Sequence, residues 1–301
     1  MSHEHHHHHH HSMSADNGQM RKILWIAIVL NLLFVGVETG MGLWKNSLSL
    51  LSDAGHNLSD VFSLLLVVVG LHLVRVHSNE HYTYGYKKST ILISLANAIL
   101  LLVAVGVIIA ESVHKLREPA VIDGVAVSWT AGVGILINGV TTLLLMRGQK
   151  GDLNIRGAFL HMAADTLVSI GVVISGLVIH YTGWFIIDPI ISIVIALVIL
   201  VSTWELLRDS MRLALDGVPE GIEVDEVMEL MCSVDHVKDV HHMHIWAMST
   251  TENALTTHVV VDDEHAASSV RKTLKEVLKT KGITHATIEI ENGDGCCDTA
   301  C

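Results

Sequence analysis

Apolar residues gather in six long runs, at roughly 23–44, 48–72, 90–112, 122–146, 155–180 and 184–207, and the pattern changes from about residue 208 onward. A helix needs about 20 predominantly apolar residues to cross the hydrocarbon core of a bilayer, so each run predicts a transmembrane α-helix. Beyond 208 the runs shorten and polar residues interleave. Strand patterns fall at 237–246, 254–262 and 285–291; in Thr287-Ile288-Glu289-Ile290-Glu291 every second position is apolar, as a half-buried strand requires. Helical patterns at about 222–233 and 265–280 complete the order α-β-β-α-β. The expected division is a polar tail at 1–20, a six-helix transmembrane unit at 21–207, a compact domain at 208–292 and a short tail at 293–301.

Composition agrees with a membrane protein: half of the 301 residues are hydrophobic. Lys and Arg fix the orientation. Arg21 and Lys22 precede the first span, Arg75, Lys87 and Lys88 separate the second from the third, Arg147, Lys150 and Arg156 the fourth from the fifth, and Arg208 and Arg212 follow the sixth. The opposite loops hold only Lys45, Lys115 and Arg117, so both termini are expected in the cytoplasm. The polar first twenty residues and full-length first span leave no cleavable signal peptide to recognise. Net charge is −12, concentrated at Glu220 to Glu229 and Asp262 to Glu264. That argues against a nucleic-acid partner and suits cations, although a solvated acidic face has the same composition. His5 to His11 form an unbroken run that fits both an expression tag and a native metal-binding end. Of four cysteines, Cys296, Cys297 and Cys301 crowd the last six positions; in a cytoplasmic tail such thiols suit metal binding or exchange better than structural disulfides.

The chemistry sits where the apolar pattern is broken. His56 and Asp60 lie on the second span, His161 and Asp165 on the fifth, each pair four residues apart and so on one helix face. Ionisable groups inside a bilayer are costly and mark functional sites. Imidazole nitrogen and carboxylate oxygen both bind zinc-type cations, and two facing pairs supply the four ligands of a tetrahedral site. Other polar residues read as structural: Asn31 and Glu38 on one face of the first span, Asn97 on the third, and Asp188 as the N-cap of the sixth with Pro189 in its first turn. Gly132, Gly134 and Gly139 on the fourth span and Gly157, Gly171 and Gly176 on the fifth permit close helix packing, or the sliding that transport requires.

Six spans, two His-x-x-x-Asp pairs and an α-β-β-α-β domain resemble the cation diffusion facilitator family, in its zinc-transporting form and its bacterial zinc/cadmium/cobalt efflux subgroup. The flanking text is similar as well: Ser47-Leu48-Ser49-Leu50-Leu51-Ser52-Asp53-Ala54, Tyr84-Gly85-Tyr86, His241-His242-Met243-His244-Ile245-Trp246 and His258-Val259-Val260-Val261, over about residues 20 to 292. The resemblance implies a homodimeric transporter that exchanges a cytoplasmic divalent cation for protons. His56, Asp60, His161 and Asp165 would form the transport site, and the cytoplasmic α+β domain would be ferredoxin- or metallochaperone-like. The His-and-Asp combination resembles the family's zinc-preferring pattern, with cadmium or cobalt tolerated.

The residues support this independently. Mixed imidazole and carboxylate ligands suit zinc, whereas magnesium prefers oxygen alone. Zn2+ is then both the transported and the regulatory ion, and no organic cofactor is expected. Matching the family pattern assigns a second, cytoplasmic site to His241, His258 and Glu291. Strand alternation places His242 on the opposite face, and His244 reads as structural. Cys296, Cys297 and Cys301 would extend this site or form a mobile capturing tail. His72, His77 and His81 with Glu80 lie between the second and third spans, where a solvated loop is the preferred reading. Ser89-Thr90 stand where the family often has an acidic residue after the tyrosines. A membrane-embedded metalloenzyme would keep an open metal position and three ligands, and a sensor or storage protein would lean on the His- and Cys-rich ends. The expectation is a transporter and not an enzyme, with the lipid bilayer, metal ions and protons as partners, in a bacterial inner membrane.

Overall fold

The computed structural model describes residues 13–45, 48–117 and 124–292, so the His run and Cys296, Cys297 and Cys301 lie outside the described residues. Six long helices come first: α1 (Met13–Lys45), α2 (Leu48–Leu73), α3 (Ser89–Arg117), α4 (Gly124–Leu145), α5 (Leu153–Thr182) and α6 (Ile187–Ala214). Five are long and apolar enough to cross a membrane. The described apolar part of α4 is the shorter stretch Gly132–Leu145. At 22 residues the whole helix is about 33 Å long, enough for the bilayer core. The protein is an integral multi-pass membrane protein.

α1 starts inside the segment read as a polar tail. Met20 is buried against a core shared by α1, α2, α4 and α5, which explains why the helix continues beyond the apolar run. Three antiparallel pairs dominate the packing: α1 with α2, α3 with α6, and α4 with α5. Glycine matters most where α5 meets α6, and less between α4 and α5. A Cβ on Gly139 would meet Thr166 Cγ2 at 3.7 Å, and one on Gly171 would lie 2.6 Å from Ile195 Cδ1. Asp188 is not the cap of α6: Ile186 occupies that position without a side-chain bond. Asp188, buried in the first turn, instead accepts from Ser175 Oγ at 2.8 Å and faces Lys115 Nζ at 3.4 Å. A buried carboxylate next to two donors on other helices gains more there than from capping its own helix.

The cytoplasmic unit contains α7 (Val224–Cys232), β1 (Val237–Ala247), β2 (Asn253–Val261), α8 (Ala267–Thr280) and β3 (Ile283–Asn292), with a short 3-10 turn before α8. The sheet order is β1-β2-β3, antiparallel between the first two and parallel between the last two, because α8 carries the chain back over the sheet. Val270, Leu274 and Leu278, four residues apart on α8, bury one stripe against Ile245, Leu255 and Ile288. One sheet face is therefore covered by α7 and α8, and the other carries His241, His258, Glu289 and Glu291. Between the units, the β1–β2 turn reaches the cytoplasmic helix ends. Lys87 Nζ donates to Glu252 Oε2 at 2.5 Å, Thr250 N donates to Thr90 Oγ1 at 3.1 Å, and Lys88 pairs with Asp216.

Candidate metal centres

The two sequence-predicted pairs meet inside the bundle. The i, i+4 spacing turns His56 and Asp60 of α2, and His161 and Asp165 of α5, toward one point. His161 Nε2 lies 2.7 Å from Asp60 Oδ1 and 3.8 Å from Asp165 Oδ2, and His56 Nε2 lies 3.4 Å from Asp165 Oδ1. Burial falls off across the group: the Asp60 side chain is 0% exposed and that of His161 10%, against 57% for His56. The site is thus closed on one side and open at His56. Asp60 Oδ2 and Asp165 Oδ2 have no hydrogen-bond partner among the described residues. Unpartnered carboxylate oxygens are expensive in a bilayer. Two of them on carboxylates that lie beside imidazoles offer lone pairs to a cation. Ligand atoms of His56, Asp60 and Asp165 already lie within 4.8 Å of one another. A tetrahedral zinc with bonds near 2 Å needs them about 3.3 Å apart, so a small side-chain adjustment suffices.

Polar neighbours brace the group. Asn57, next to His56, donates from Nδ2 to buried Glu38 Oε2 at 2.7 Å, tying α2 to α1. Asn31 does not share that bond and donates instead to Ala27 O at 2.9 Å. The sequence pattern alone gave no sign of Asn57, whose only signal is its place beside His56.

The second cluster lies on the open sheet face. His241 and His258 are cross-strand partners, and Glu291 lies diagonally on β3. His258 Nδ1 is 2.6 Å from Glu291 Oε1, and His241 Nε2 is 3.4 Å from Glu291 Oε2. All three are half-buried, with ligand atoms within 4.8 Å of one another. Asp239 and Glu289 flank them, at 3.2 Å from His241 Nδ1 and 3.6 Å from His258 Nε2. His242 is the correction. A bulge between His241 and His244 and a positive φ of 49° at His242 break the alternation. The His242 ring therefore sits 5.6 Å from that of His241 and 5.4 Å from that of His258, on the same face. His244 is exposed and stands outside the group, as do His72, His77, Glu80 and His81, all exposed. Beyond the cluster, His236 is bonded to Asp262 at 2.9 Å, and this carboxylate raises the pKa of the imidazole.

This architecture has known counterparts. Residues 24–213 match the cation efflux transmembrane domain, and residues 219–293 match the cation efflux protein cytoplasmic domain. The cadmium, cobalt and zinc/H(+)-K(+) antiporter of Bacillus subtilis is 33% identical over 281 residues, covering 92% of this chain and 90% of that one. The zinc transporter ZitB of Escherichia coli is 34% identical over 294 residues, covering 97% and 93%. The metal cation efflux system protein CzcD of Cupriavidus metallidurans is 34% identical over 276 residues, covering 91% and 87%. With both domain models matched in tandem across nearly the whole chain, the protein belongs to the cation efflux family, the cation diffusion facilitators, and is a transporter and not an enzyme.

Proposed function

We propose that this protein exports Zn2+, and Cd2+ or Co2+ in its place, in exchange for protons, with His56, Asp60, His161 and Asp165 as the transport site. The observation that carries this reading is the meeting of two imidazoles and two carboxylates from α2 and α5 inside a membrane bundle. Metal binds neutral imidazole and ionised carboxylate, so protons and metal compete for the same atoms. Imidazole titrates near neutral pH, so exposing the site to one side and then the other exchanges one for the other. The short His161–Asp60 contact joins an imidazole to a carboxylate, and a cation held by both takes its place. Two similar proteins carry zinc, cadmium or cobalt in their names, one of them as an H(+)-K(+) antiporter, and a third is named as a metal cation efflux protein.

The protein works as a homodimer in a bacterial inner membrane with both termini in the cytoplasm, a reading supported by the inner-loop Lys and Arg residues and by the matched cytoplasmic domain. In that domain His241, His258 and Glu291 hold a regulatory cation, with His242 beside them. Cys296, Cys297 and Cys301 extend this capture. Reconstituted protein should release protons when zinc, cadmium or cobalt is added and much less with manganese, with nickel as the intermediate probe. Proton release that is equal for all five, or absent with zinc, would remove the assignment.

A further inference from the structure

The ligands lie on α2 and α5, whereas α3 and α6 pair with each other and carry none of them. A movement of α5 against the α3–α6 pair would change the side from which the site is reached, because α5 packs on both of these helices. That seam has two unlike halves. In its outer half Val105, Ala164, Ala196 and Ile199 pack as an apolar cluster, and Gly171 lets α5 approach so closely that a Cβ would lie 2.6 Å from Ile195 Cδ1 and 3.0 Å from Ile191 Cγ2. Close-packed apolar contact of this kind holds its place.

The cytoplasmic half is polar and incompletely bonded. Asn97 of α3 is 3% exposed, lies beside Gly157 one turn before His161, and has no partner for Nδ2 or Oδ1 among the described residues. Thr203 of α6 is fully buried with Oγ1 also unpartnered, and it shares the helix face of Ala196, Ile199 and Leu206 by its spacing of three and four. Nearest the cytoplasm, Arg156 of α5 bridges two carboxylates of α6, Nη1 to Asp209 Oδ2 at 3.0 Å and Nη2 to Glu205 Oε2 at 2.5 Å. Buried polar atoms without partners in a bilayer are costly, and water is what satisfies them. A seam left in this condition gains when it opens and hydrates.

We propose that Arg156 is a positioning residue that latches the cytoplasmic half of α5 to α6 through Asp209 and Glu205. Releasing the latch opens the Asn97–Thr203 seam to water while the Gly171 contact stays closed. This rests on the transport reading above and adds to it the contact that opens. Arg is suited to the role because its planar fork engages two carboxylates at once, which Lys does not.

The test uses the full-length chain with its four cysteines changed to Ser and a single new thiol, either Thr203→Cys in the polar half or Ala196→Cys in the apolar half, in membrane vesicles. Labelling by a charged methanethiosulfonate reagent reports water at each position. Arg156→Gln should speed labelling of Thr203→Cys by about tenfold to a hundredfold, the range of a lost charged hydrogen bond, with Arg156→Lys in between and Ala196→Cys unchanged. An unchanged Thr203→Cys rate overturns the proposal. So does an equal rise at both thiols, because that is general loosening of the fold. Asp165→Ala is measured alongside for zinc flux. Retained flux there would sink the transport reading and leave the labelling comparison standing, so the two failures are distinguishable.

Discussion

Replacing Asp60 by Asn isolates one charge of the proposed transport site. The two side chains have nearly the same shape, and the carboxamide still offers a hydrogen-bond partner to His161 Nε2, now 2.7 Å from Asp60 Oδ1. The fold is therefore kept while the charge balance changes. With neutral imidazoles the site holds two negative charges, which match a divalent cation and leave a neutral complex inside the membrane. One Asn leaves the complex with a net positive charge. A unit charge pair 4 Å apart in an effective dielectric of 20 is worth about 4 kcal/mol, and a ligand closer than that is worth more. At about 1.4 kcal/mol per factor of ten, zinc binding should weaken at least roughly a thousandfold. Zinc entry into proteoliposomes, followed by a trapped fluorescent indicator across a range of zinc concentrations, measures the loss. A variant whose half-saturating zinc and maximal flux match the wild type would refute the charge-matching argument, and with it the role of Asp60 as a ligand.

Three further outcomes follow from the cytoplasmic domain. Glu291→Ala removes the carboxylate 2.6 Å from His258 and 3.4 Å from His241, and should weaken zinc binding outside the membrane by about tenfold to a hundredfold or more, read by calorimetry on full-length protein, while flux persists. Leu274→Ala empties a fully buried position in the α8 stripe and should cost about 2–5 kcal/mol, read as a lower unfolding temperature of the cytoplasmic domain; an unchanged temperature would show that the stripe does not hold it. Asp262→Asn should lower the His236 pKa in an NMR titration, since Asp262 is the cause of its upward shift. The sign is fixed by linkage: a pKa raised by folding contributes stability below the ordinary histidine value, lost as pH rises through the folded one. Both side chains are about half exposed, so the titration should move while the unfolding temperature hardly does.

Much of this architecture was legible in the sequence because bilayer length and helical period are strong constraints. A span needs its apolar residues wherever its neighbours lie, and a His four residues before an Asp shares its face in any helix. The misreadings come from places where tertiary context outweighed local pattern. Asp188-Pro189 reads as a helix start, yet the carboxylate is drawn to Ser175 and Lys115 on neighbouring helices, a pull that α6 alone does not encode. His242 follows strand alternation on paper. The bulge that returns it to the face of His241 depends on how β1 is paired with β2. The start of α1 reflects Met20 finding a buried place against other helices rather than any capping signal before the first span.

α5 shows how a single helix serves two constraints. Ala158, His161, Met162 and Asp165 face α2 and its partner α1, while Gly157, Ala164, Val168 and Gly171 face α3 and α6. The first face places the proposed ligands and must keep its register with His56 and Asp60, since a rotation of one residue, about 100°, would turn both side chains away. The second face is free of ligands and uses small residues, which allow the helix to change its tilt without carrying the ligands out of register. A tilt about the Gly171 contact moves the α5 cytoplasmic end most and the ligand turn, which lies between that end and the contact, roughly half as far. It would change access to the site and, with α2 carried along through the core it shares with α5, keep the four proposed ligands near one another, as a carrier that binds the same cation from either side requires.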